Sequence, residues 1–492
     1  MAGKGKIVLF FPSYATEEVA PPIALISIAG PLLSAGFQVV IVDSSLSADP
    51  VAEVLSHADG ALCLGISIIT GPMIREAVAV GSAWKARRPD APVVLGGWHP
   101  SILPEQSLAA SFVDLVILRQ GELAMLELCQ QLARGEGHQG IAGTLWKEQG
   151  APHRGASRPH MALAELPDRM PGYELVDQDL YARRTRLRWT MYTASHGCPF
   201  DCAYCSNASV YGRKLDLMPP ERVVSDITHL VRRQGIELLG FTDDIFFCFR
   251  PRTFEIAEGL LSRGVKVDWY IQDRADSVAR LSVEEAKLLR RSGLVRVHFG
   301  AESGSDDVLR SIDKRSSVER TLEAVDRCKA AGIRASFGFI FGLPGETDQD
   351  LRATVNLISR IYQRYDRADC HTNIFTPYPG SPLWPTSVEL GVQPPQTLEE
   401  WIEYFPRVTV LPWLAGAKHR RLQDIRQYLR LGYPNVRVGE DQGSRRHRLA
   451  LRTLGPSARW RLREHRYDLP LELRAYEAAQ KVKPSLAVYE RL

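Results

Sequence analysis

At 492 residues the chain is long enough for two or three domains, each with its own hydrophobic core. Its composition, 45% apolar and 24% charged, is that of an ordinary globular protein. The net charge of +4 is small for this length and argues neither for nor against nucleic acid. We predict a small-molecule substrate and no nucleic-acid partner. Three of the eight cysteines cluster, and free thiols indicate a reduced cytoplasm, where disulfides are rare.

The first 145 residues alternate predicted strands and helices. The strands are predicted at residues 6–11, 38–42, 61–67, 93–95 and 113–118, and the helices at 25–33, 72–86 and 122–133. This alternation indicates a doubly wound parallel sheet, whose ligands bind beyond the carboxyl ends of the strands. Ser67 and the pair Gly96-Gly97 lie at two such ends, where glycine lets a ligand approach the backbone closely. Without a ligand, the paired glycines form only a tight turn from strand to loop.

An uncharged stretch at residues 19–42 is long enough to cross a membrane. Pro21-Pro22, Gly30-Pro31 and Gly36 interrupt it, so a helix followed by a strand explains the stretch better. We therefore predict no transmembrane segment. Residues 146–185 are predicted as a linker, since a small hairpin near residues 143–150 precedes a stretch without a clear period.

A strand predicted at residues 187–195 leads into Cys198-Pro199-Phe200-Asp201-Cys202-Ala203-Tyr204-Cys205, spaced C-x3-C-x2-C. Thiolates are soft ligands that suit iron–sulfur clusters. Three thiolates on a cubane leave one iron without a protein ligand, and that iron can bind a small chelating molecule. A zinc site with His196 as the fourth ligand is the alternative, but structural zinc sites commonly use two separated ligand pairs.

Five further strands alternate with helices between residues 186 and 410. The strands are predicted at 238–242, 266–271, 296–300, 336–341 and 371–376, and the helices at 221–233, 254–263, 283–292, 318–331 and 350–365. About six such units make an open (β/α)6 barrel, whose active site assembles at the strand carboxyl ends. Polar and glycine-rich stretches follow those ends, although each one alone is equally well a helix cap or a turn: Asp243-Asp244, Glu302-Ser303-Gly304 and Gly342-Leu343-Pro344-Gly345.

Together these stretches resemble the core of the radical S-adenosylmethionine (SAM) superfamily. The matching features are the cysteine spacing with Tyr204 before the last cysteine, then G-x-E-S-G, G-L-P-G-E-T and P-Y-P-G-S-P. Residues 1–145 are similar to the cobalamin-binding domain that precedes many such cores, at Gly65-Ile66-Ser67, at residues 95–100 and at Gly121-Glu122. The loop at residues 12–17 lacks the histidine that ligates cobalt in domains of the methionine-synthase type. Cobalt then either has no protein ligand or is bound by His99, which beside Pro100 is otherwise a structural residue.

The resemblance implies a [4Fe-4S] cluster and SAM in the barrel, with cobalamin at the edge of the first sheet. The implied cluster ligands are Cys198, Cys202 and Cys205, and the implied cobalamin edge is Ser67, Gly96 and Gly97. Tyr204 and Gly342 would lie near the adenine of SAM, Asp243 and Asp244 at its amino group, and Glu302 with Ser303 at its ribose or carboxylate.

The activity that the resemblance implies is cleavage of SAM to a 5′-deoxyadenosyl radical and methylation of an unactivated carbon of a small-molecule substrate. An electron donor such as flavodoxin or ferredoxin would supply the electron. The alternatives are an oxidative cyclase or rearrangement enzyme, like the anaerobic magnesium-protoporphyrin ester cyclases, and a non-catalytic cobalamin or iron–sulfur regulator. A methylthiotransferase is disfavoured because the chain has no second cysteine triad.

Residues 411–492 are predicted as a mainly helical, basic region. Its basic residues form solvated helical faces, or else a patch that contacts an anionic substrate, a carrier or a membrane surface. These residues are Lys418, Arg420, Arg421, Arg426, Arg430, Arg437, Arg445, Arg446, Arg448, Arg452, Arg459, Arg461, Arg463 and Arg466.

Overall fold

The computed structural model describes residues 4–14, 19–404, 411–433, 445–468, 470–474 and 476, with the backbone alone at residues 445–451. Its first seven strands are β1 (Lys6–Phe11), β2 (Gln38–Asp43), β3 (Ala61–Ser67), β4 (Val93–Gly96), β5 (Leu115–Ile117), β6 (Thr144–Glu148) and β7 (Ala151–Arg154). They form one sheet in the order β2-β1-β3-β4-β5-β6-β7, with β1 to β5 parallel and β6 and β7 antiparallel. The predicted doubly wound sheet is confirmed, and the predicted hairpin extends its edge.

Helices cover both faces of this sheet, because β1 buries an unbroken apolar run from Ile7 to Phe10. These helices are Ile23–Ser34, Pro50–Ser56, Met73–Arg87, Trp98–Ile102, Pro104–Ala109 and Glu122–Ala133, with a 3-10 turn at Ser44–Leu46. The connection to the second sheet contains the helices Met170–Tyr173 and Gln178–Thr185. The division of the chain at residues 145, 185 and 410 stays a prediction.

The remaining strands are β8 (Trp189–Tyr192), β9 (Ser195–His196), β10 (Asp216–Leu217), β11 (Leu238–Phe241), β12 (Asp268–Asp273), β13 (Leu294–Glu302), β14 (Arg334–Phe341) and β15 (Asp369–Ile374). Six of them form a parallel sheet in the order β15-β14-β13-β12-β11-β8, while β9 and β10 pair as a short antiparallel ribbon. The predicted open barrel of six parallel strands is therefore confirmed.

The helices of the barrel follow its strands along the chain. They are Asn207–Tyr211, Pro220–Gln234, Arg250–Ser262, Ala275–Ala279, Val283–Arg291, Asp306–Ser311, Val318–Ala331, Asp348–Arg364 and Leu383–Glu389. The continuous strand predicted at residues 187–195 is wrong, because the chain leaves the sheet after Tyr192. The Ala194 N–H then donates to the Asp243 carboxylate at 2.8 Å instead of to a strand neighbour.

The segment after the barrel joins the two sheets. Its 3-10 helix Glu399–Glu403 packs on the first sheet's helices, where Trp401 is 1% exposed and its indole N–H donates to Gln106 at 2.5 Å. Tyr404 donates its hydroxyl to the Pro377 carbonyl, back in the barrel, at 2.7 Å. These contacts join the helices of the first sheet to the barrel.

The C-terminal helices Ala417–Gly432 and Arg445–Glu464 pack against each other. The first helix buries Ile425 and Tyr428 in the barrel core, as a helical face packed on the core requires. Among the predicted basic residues, Arg437 and the side chains of Arg445, Arg446 and Arg448 lie outside the described residues. Within the described part of the chain, no helix is both long and apolar enough to cross a membrane.

Candidate functional site

A cavity of about 510 Å³ lies between the carboxyl edges of the two sheets. On one side it is lined by residues that follow β1, β3 and β4, and on the other by residues that follow β8 and β11. Ser67, Gly96 and Gly97 come from the first sheet, while Ser195 and Asp244 come from the barrel. The structure thus brings predicted site residues of both sheets to one cavity.

The glycine pair on the first-sheet side has two different geometries. Gly97 has φ +96°, and a Cβ there would lie 2.6 Å from the Ile68 carbonyl oxygen and 2.9 Å from the Ser67 hydroxyl. Only glycine adopts this turn at little cost. A Cβ at Gly96 would meet just the Ile117 carbonyl oxygen, at 4.0 Å, so the backbone of Gly96 is open to a ligand in the cavity.

Asp243 and Asp244 follow β11 but differ in exposure, since only Asp244 lines the cavity. Asp243 is 1% exposed and accepts hydrogen bonds from the Ala194 N–H at 2.8 Å and the Ser195 hydroxyl at 2.5 Å. Burial raises the pKa of Asp243 to about 6. Asp244 lines the cavity, and partial removal of its carboxylate from water raises its pKa as well. Asp243 therefore fixes the start of the cysteine loop, while Asp244 can contact a ligand.

The cysteine loop continues from β9 and lies beside Asp244. The Asp244 carboxylate contributes to the raised pKa of both Cys198 and Cys205, after the larger effect of burial, which brings Cys198 to about 11. Cys202 and Cys205 also contribute to the raised pKa of Cys198, and Cys202 contributes to that of Cys205, so the three thiols lie near one another. The loop is held by the Ala203 N–H, which donates to the Ile312 carbonyl at 2.9 Å.

Tyr204, Glu302 and Lys314 form a buried network next to the last cysteine. The Tyr204 hydroxyl donates to Glu302 Oε1 at 2.7 Å, and Lys314 Nζ donates to the same oxygen at 2.7 Å and to the Tyr204 oxygen at 2.9 Å. Glu302 has φ +62° at a bulge in β13, a strained conformation for a residue with a side chain. Gly300 makes room for the network, since a Cβ there would lie 2.8 Å from Lys314 Nζ.

Ser303 and Gly342, two predicted SAM contacts, each have a structural partner. Ser303 is fully buried, and its hydroxyl lies 3.2 Å from that of Thr354 in the following helix. Gly342 has φ +81°, donates its N–H to Glu346 at 2.6 Å and accepts the Trp413 indole N–H at 2.9 Å. These contacts account for both residues without SAM, and neither lines the inter-sheet cavity.

Two histidines considered from the sequence differ in their position. His99 is buried away from the cavity, with Nδ1 2.9 Å from the Thr70 hydroxyl and its ring 5.6 Å from that of Trp401. His196 does line the cavity and stacks on Tyr211 at a centroid distance of 4.8 Å. Burial lowers the pKa of His99 to about 4 and that of His196 to about 3, so both rings are neutral.

Two cations at the cysteine loop were not predicted from the sequence. Lys314 lies in the loop before a helix, and no sequence signal marks it. Arg274 follows β12 directly, at the same edge as the other site residues, so the topology of the sheet could have identified it. Arg274 Nη1 lies 3.9 Å from the Cys202 sulfur, and its guanidinium carbon lies 3.9 Å from the centre of the Phe200 ring.

Two family models match the chain. Residues 15–129 match the B12 binding domain, and residues 192–358 match the radical SAM superfamily. The fold and the cavity therefore define a class of protein in which a B12 binding domain is followed along the chain by a radical SAM domain. Residues 192–358 therefore form a radical SAM domain, and the prediction of a radical SAM enzyme with a B12 binding domain is confirmed.

Individual relatives agree with this assignment. The chain is 28% identical to the uncharacterized methyltransferase PH0819 of Pyrococcus horikoshii over 84% of this chain and 87% of that protein. It is 26% identical to the anaerobic magnesium-protoporphyrin IX monomethyl ester cyclase of Rubrivivax gelatinosus, over 77% and 69%. The structure of the methyltransferase TsrM from Kitasatospora setae, with cobalamin and a [4Fe-4S] cluster bound, matches with TM-score 0.64 and 20% identity over 78% of each chain. This last likeness shows the shared fold.

The domains imply the predicted cofactors: a [4Fe-4S] cluster, SAM and cobalamin. The residues present fit them. Three thiols on one loop suit a cluster, in which each thiolate binds a different iron. In the described residues, no three His, Cys, Asp or Glu side chains are placed to hold a single metal ion. Gly96 leaves backbone open to cobalamin on the other side of the cavity.

Proposed function

We propose that this protein is a cobalamin-dependent radical SAM methyltransferase that methylates an unactivated carbon of a small-molecule substrate. The observation that carries the proposal is the shared cavity, which is lined by the carboxyl edges of both the B12 binding domain and the radical SAM barrel. A methyl donor on one side and a radical source on the other would reach one substrate there. The relative in Pyrococcus horikoshii, whose name is that of a methyltransferase, supports the same activity.

Each part of the site has a role in this proposal. Cys198, Cys202 and Cys205 hold the cluster, and Asp244 accepts the amino group of SAM from its position between the cysteine loop and the cavity. Tyr204, whose hydroxyl is held by Glu302, would contact SAM. When bound, the cluster supplies one electron to SAM and cobalamin supplies a methyl group. An electron donor such as flavodoxin or ferredoxin reduces the protein in the cytoplasm.

The walls of the cavity keep water from the reacting groups. Leu9, Ile66, Ile117 and Met125 line the first-sheet side, and Met191 and Val210 line the barrel side. Apolar walls exclude water and thereby protect reactive species from side reactions. Trp98 and Tyr211, 5.6 Å apart at their ring centres, lie at the boundary of the two sides.

The test is anaerobic reconstitution of the full chain with iron, sulfide and hydroxocobalamin, followed by reduction with SAM labelled in its methyl group. Corrin absorption bands that stay with the protein, 5′-deoxyadenosine formation and label in a product from a metabolite extract are the expected results. The variant with Cys198→Ala, Cys202→Ala and Cys205→Ala should lose 5′-deoxyadenosine formation. Cys248→Ala is the matched control, because this cysteine is exposed and lies outside the loop.

Oxidative cyclisation or rearrangement is the second candidate, favoured by the 26% identity to a magnesium-protoporphyrin ester cyclase. It predicts 5′-deoxyadenosine with no label in the product. If the reduced wild-type protein holds its cluster but never cleaves SAM, both enzymatic proposals fail and a regulator is left.

A further inference from the structure

Arg274 is a buried arginine that joins the barrel to the cysteine loop. It follows the last residue of β12, and its backbone N–H donates to the buried carboxylate of Asp273 at 2.7 Å. The residue is 5% exposed. A buried guanidinium is costly unless its N–H groups find acceptors, so its contacts show what it serves.

The guanidinium is shared among three kinds of acceptor. Nε donates to Asp276 at 2.9 Å, and Nη2 donates to the carbonyls of Lys314 and Arg315, the latter at 2.9 Å. Nη1 is directed at the Cys202 sulfur at 3.9 Å, within reach of an N–H···S hydrogen bond. The plane of the group also covers the Phe200 ring inside the loop. One side chain therefore fixes the loop and points a charged donor at a predicted cluster ligand.

We propose that Arg274 is a positioning residue whose N–H···S contact with Cys202 raises the reduction potential of the cluster. This inference rests on the proposed function, because it requires the cluster to bind at this loop. Hydrogen bonds to the sulfurs and the charge near a cluster are two of the factors that set its potential. A donor at the Cys202 sulfur removes electron density from the ligand and so favours the reduced cluster.

Asp276 sets how much of the positive charge the cluster experiences. Its carboxylate lies 2.9 Å from Arg274 Nε, and Arg280, whose side chain is 56% exposed, pairs with its other oxygen at 3.2 Å. Removing the carboxylate charge while keeping the shape should make the surroundings of Cys202 more positive. The potential should then change in the direction opposite to the change caused by loss of Arg274.

The experiment measures the midpoint potential of the one-electron couple of the reconstituted full chain by redox titration followed by electron paramagnetic resonance. Arg274→Met should lower the midpoint potential relative to wild type, and Asp276→Asn should raise it. Arg213→Met is the matched control, since Arg213 pairs with Asp201 of the same loop at 3.2 Å but its side chain is 61% exposed. Screening by solvent should leave the potential of that variant close to wild type.

Each outcome has one meaning. A potential of Arg274→Met at or above the wild-type value overturns the inference, and so does an unchanged or lowered potential of Asp276→Asn. If Arg274→Met does not hold a cluster, the Asp276→Asn result alone decides. A wild-type protein that binds no cluster after reconstitution instead overturns the proposed function. A purely structural role would lower the thermal stability of the cluster-free Arg274→Met protein without moving the potential.

Discussion

The buried pair of Lys314 and Glu302 gives the sharpest prediction for the site. Their side chains are 6% and 8% exposed, and Nζ lies 2.7 Å from Oε1. At an effective dielectric constant near 20, the attraction at this distance is about 6 kcal/mol, much of which offsets desolvation of the two charges. Lys314→Met removes the cation and leaves the carboxylate buried with the Tyr204 hydroxyl as its donor. We expect a loss of about 3–5 kcal/mol in the free energy of unfolding.

The assay is thermal unfolding of the cluster-free protein, so that cofactor binding does not contribute. If the barrel unfolds as one cooperative unit of roughly 150–250 residues, a loss of about 3 kcal/mol corresponds to roughly 6–12 °C in Tm. The control is Arg310→Met, which breaks the neighbouring ion pair with Asp307, where the side chains are 70% and 83% exposed. An exposed pair is worth about 1 kcal/mol or less.

A second substitution distinguishes the charge from the packing. Glu302→Gln in the Lys314→Met background removes the uncompensated carboxylate, so the double variant should be more stable than Lys314→Met alone. The reasoning is refuted if Lys314→Met lowers Tm no more than Arg310→Met does, or if Glu302→Gln restores nothing.

Three further predictions follow from the cavity walls and their support. Gly96→Ala should leave Tm unchanged but weaken cobalamin binding by roughly 5- to 150-fold, which corresponds to about 1–3 kcal/mol of steric conflict with the ligand. Gly97→Ala should instead lower Tm, because the added Cβ would meet the protein backbone. Optical titration with hydroxocobalamin decides, and equal affinities for Gly96→Ala and wild type would contradict a ligand at this backbone. The pKa of Asp243 rises from 3.8 to about 6 on folding. Its contribution to the free energy of unfolding is therefore most favourable below pH 4 and declines by about 3 kcal/mol as the pH rises to 6. Asp243→Asn should flatten that part of the urea-unfolding stability profile, and an unchanged slope would show that another group titrates. Trp401→Ala should lower the free energy of unfolding, measured by calorimetry, by about 3–5 kcal/mol, because it leaves a cavity and removes the hydrogen bond to Gln106. A loss below about 1 kcal/mol would mean that this contact does not join the sheets.

The sequence predicts the barrel and the cavity edge well because both depend on local patterns. Buried strands are continuous apolar runs, and parallel strands place their carboxyl ends on one edge. The strand at Lys6–Phe11 and the helices Glu122–Ala133 and Val318–Ala331 are predicted to the residue. Short elements without a full period, such as the helix Trp98–Ile102, could not be predicted in this way.

Side-chain direction after a strand ends is beyond such patterns. Asp243 and Asp244 are adjacent and chemically identical, yet one accepts the Ala194 N–H and the other lines the cavity. The strand ends at Phe241, so its alternation of faces does not say which aspartate takes which position. Lys314 is 110 residues from its hydrogen-bond partner Tyr204 and 12 residues from its ion-pair partner Glu302, and no local sequence pattern indicates either contact. Contacts of this kind become visible only once the chain is folded.

The two sheets contribute unequal parts of one site, and the contact between them is what completes it. The B12 binding domain supplies Ser67 and Gly96, but the opposite wall, with Asp244 and Tyr211, belongs to the barrel. Neither domain alone encloses the cavity. Trp401 comes from the segment after the barrel and packs in the core of the first sheet, so it helps to hold the two walls of the cavity together. In the proposed reaction, the distance between methyl donor and radical source would depend on that interface as well as on the residues that would hold each cofactor.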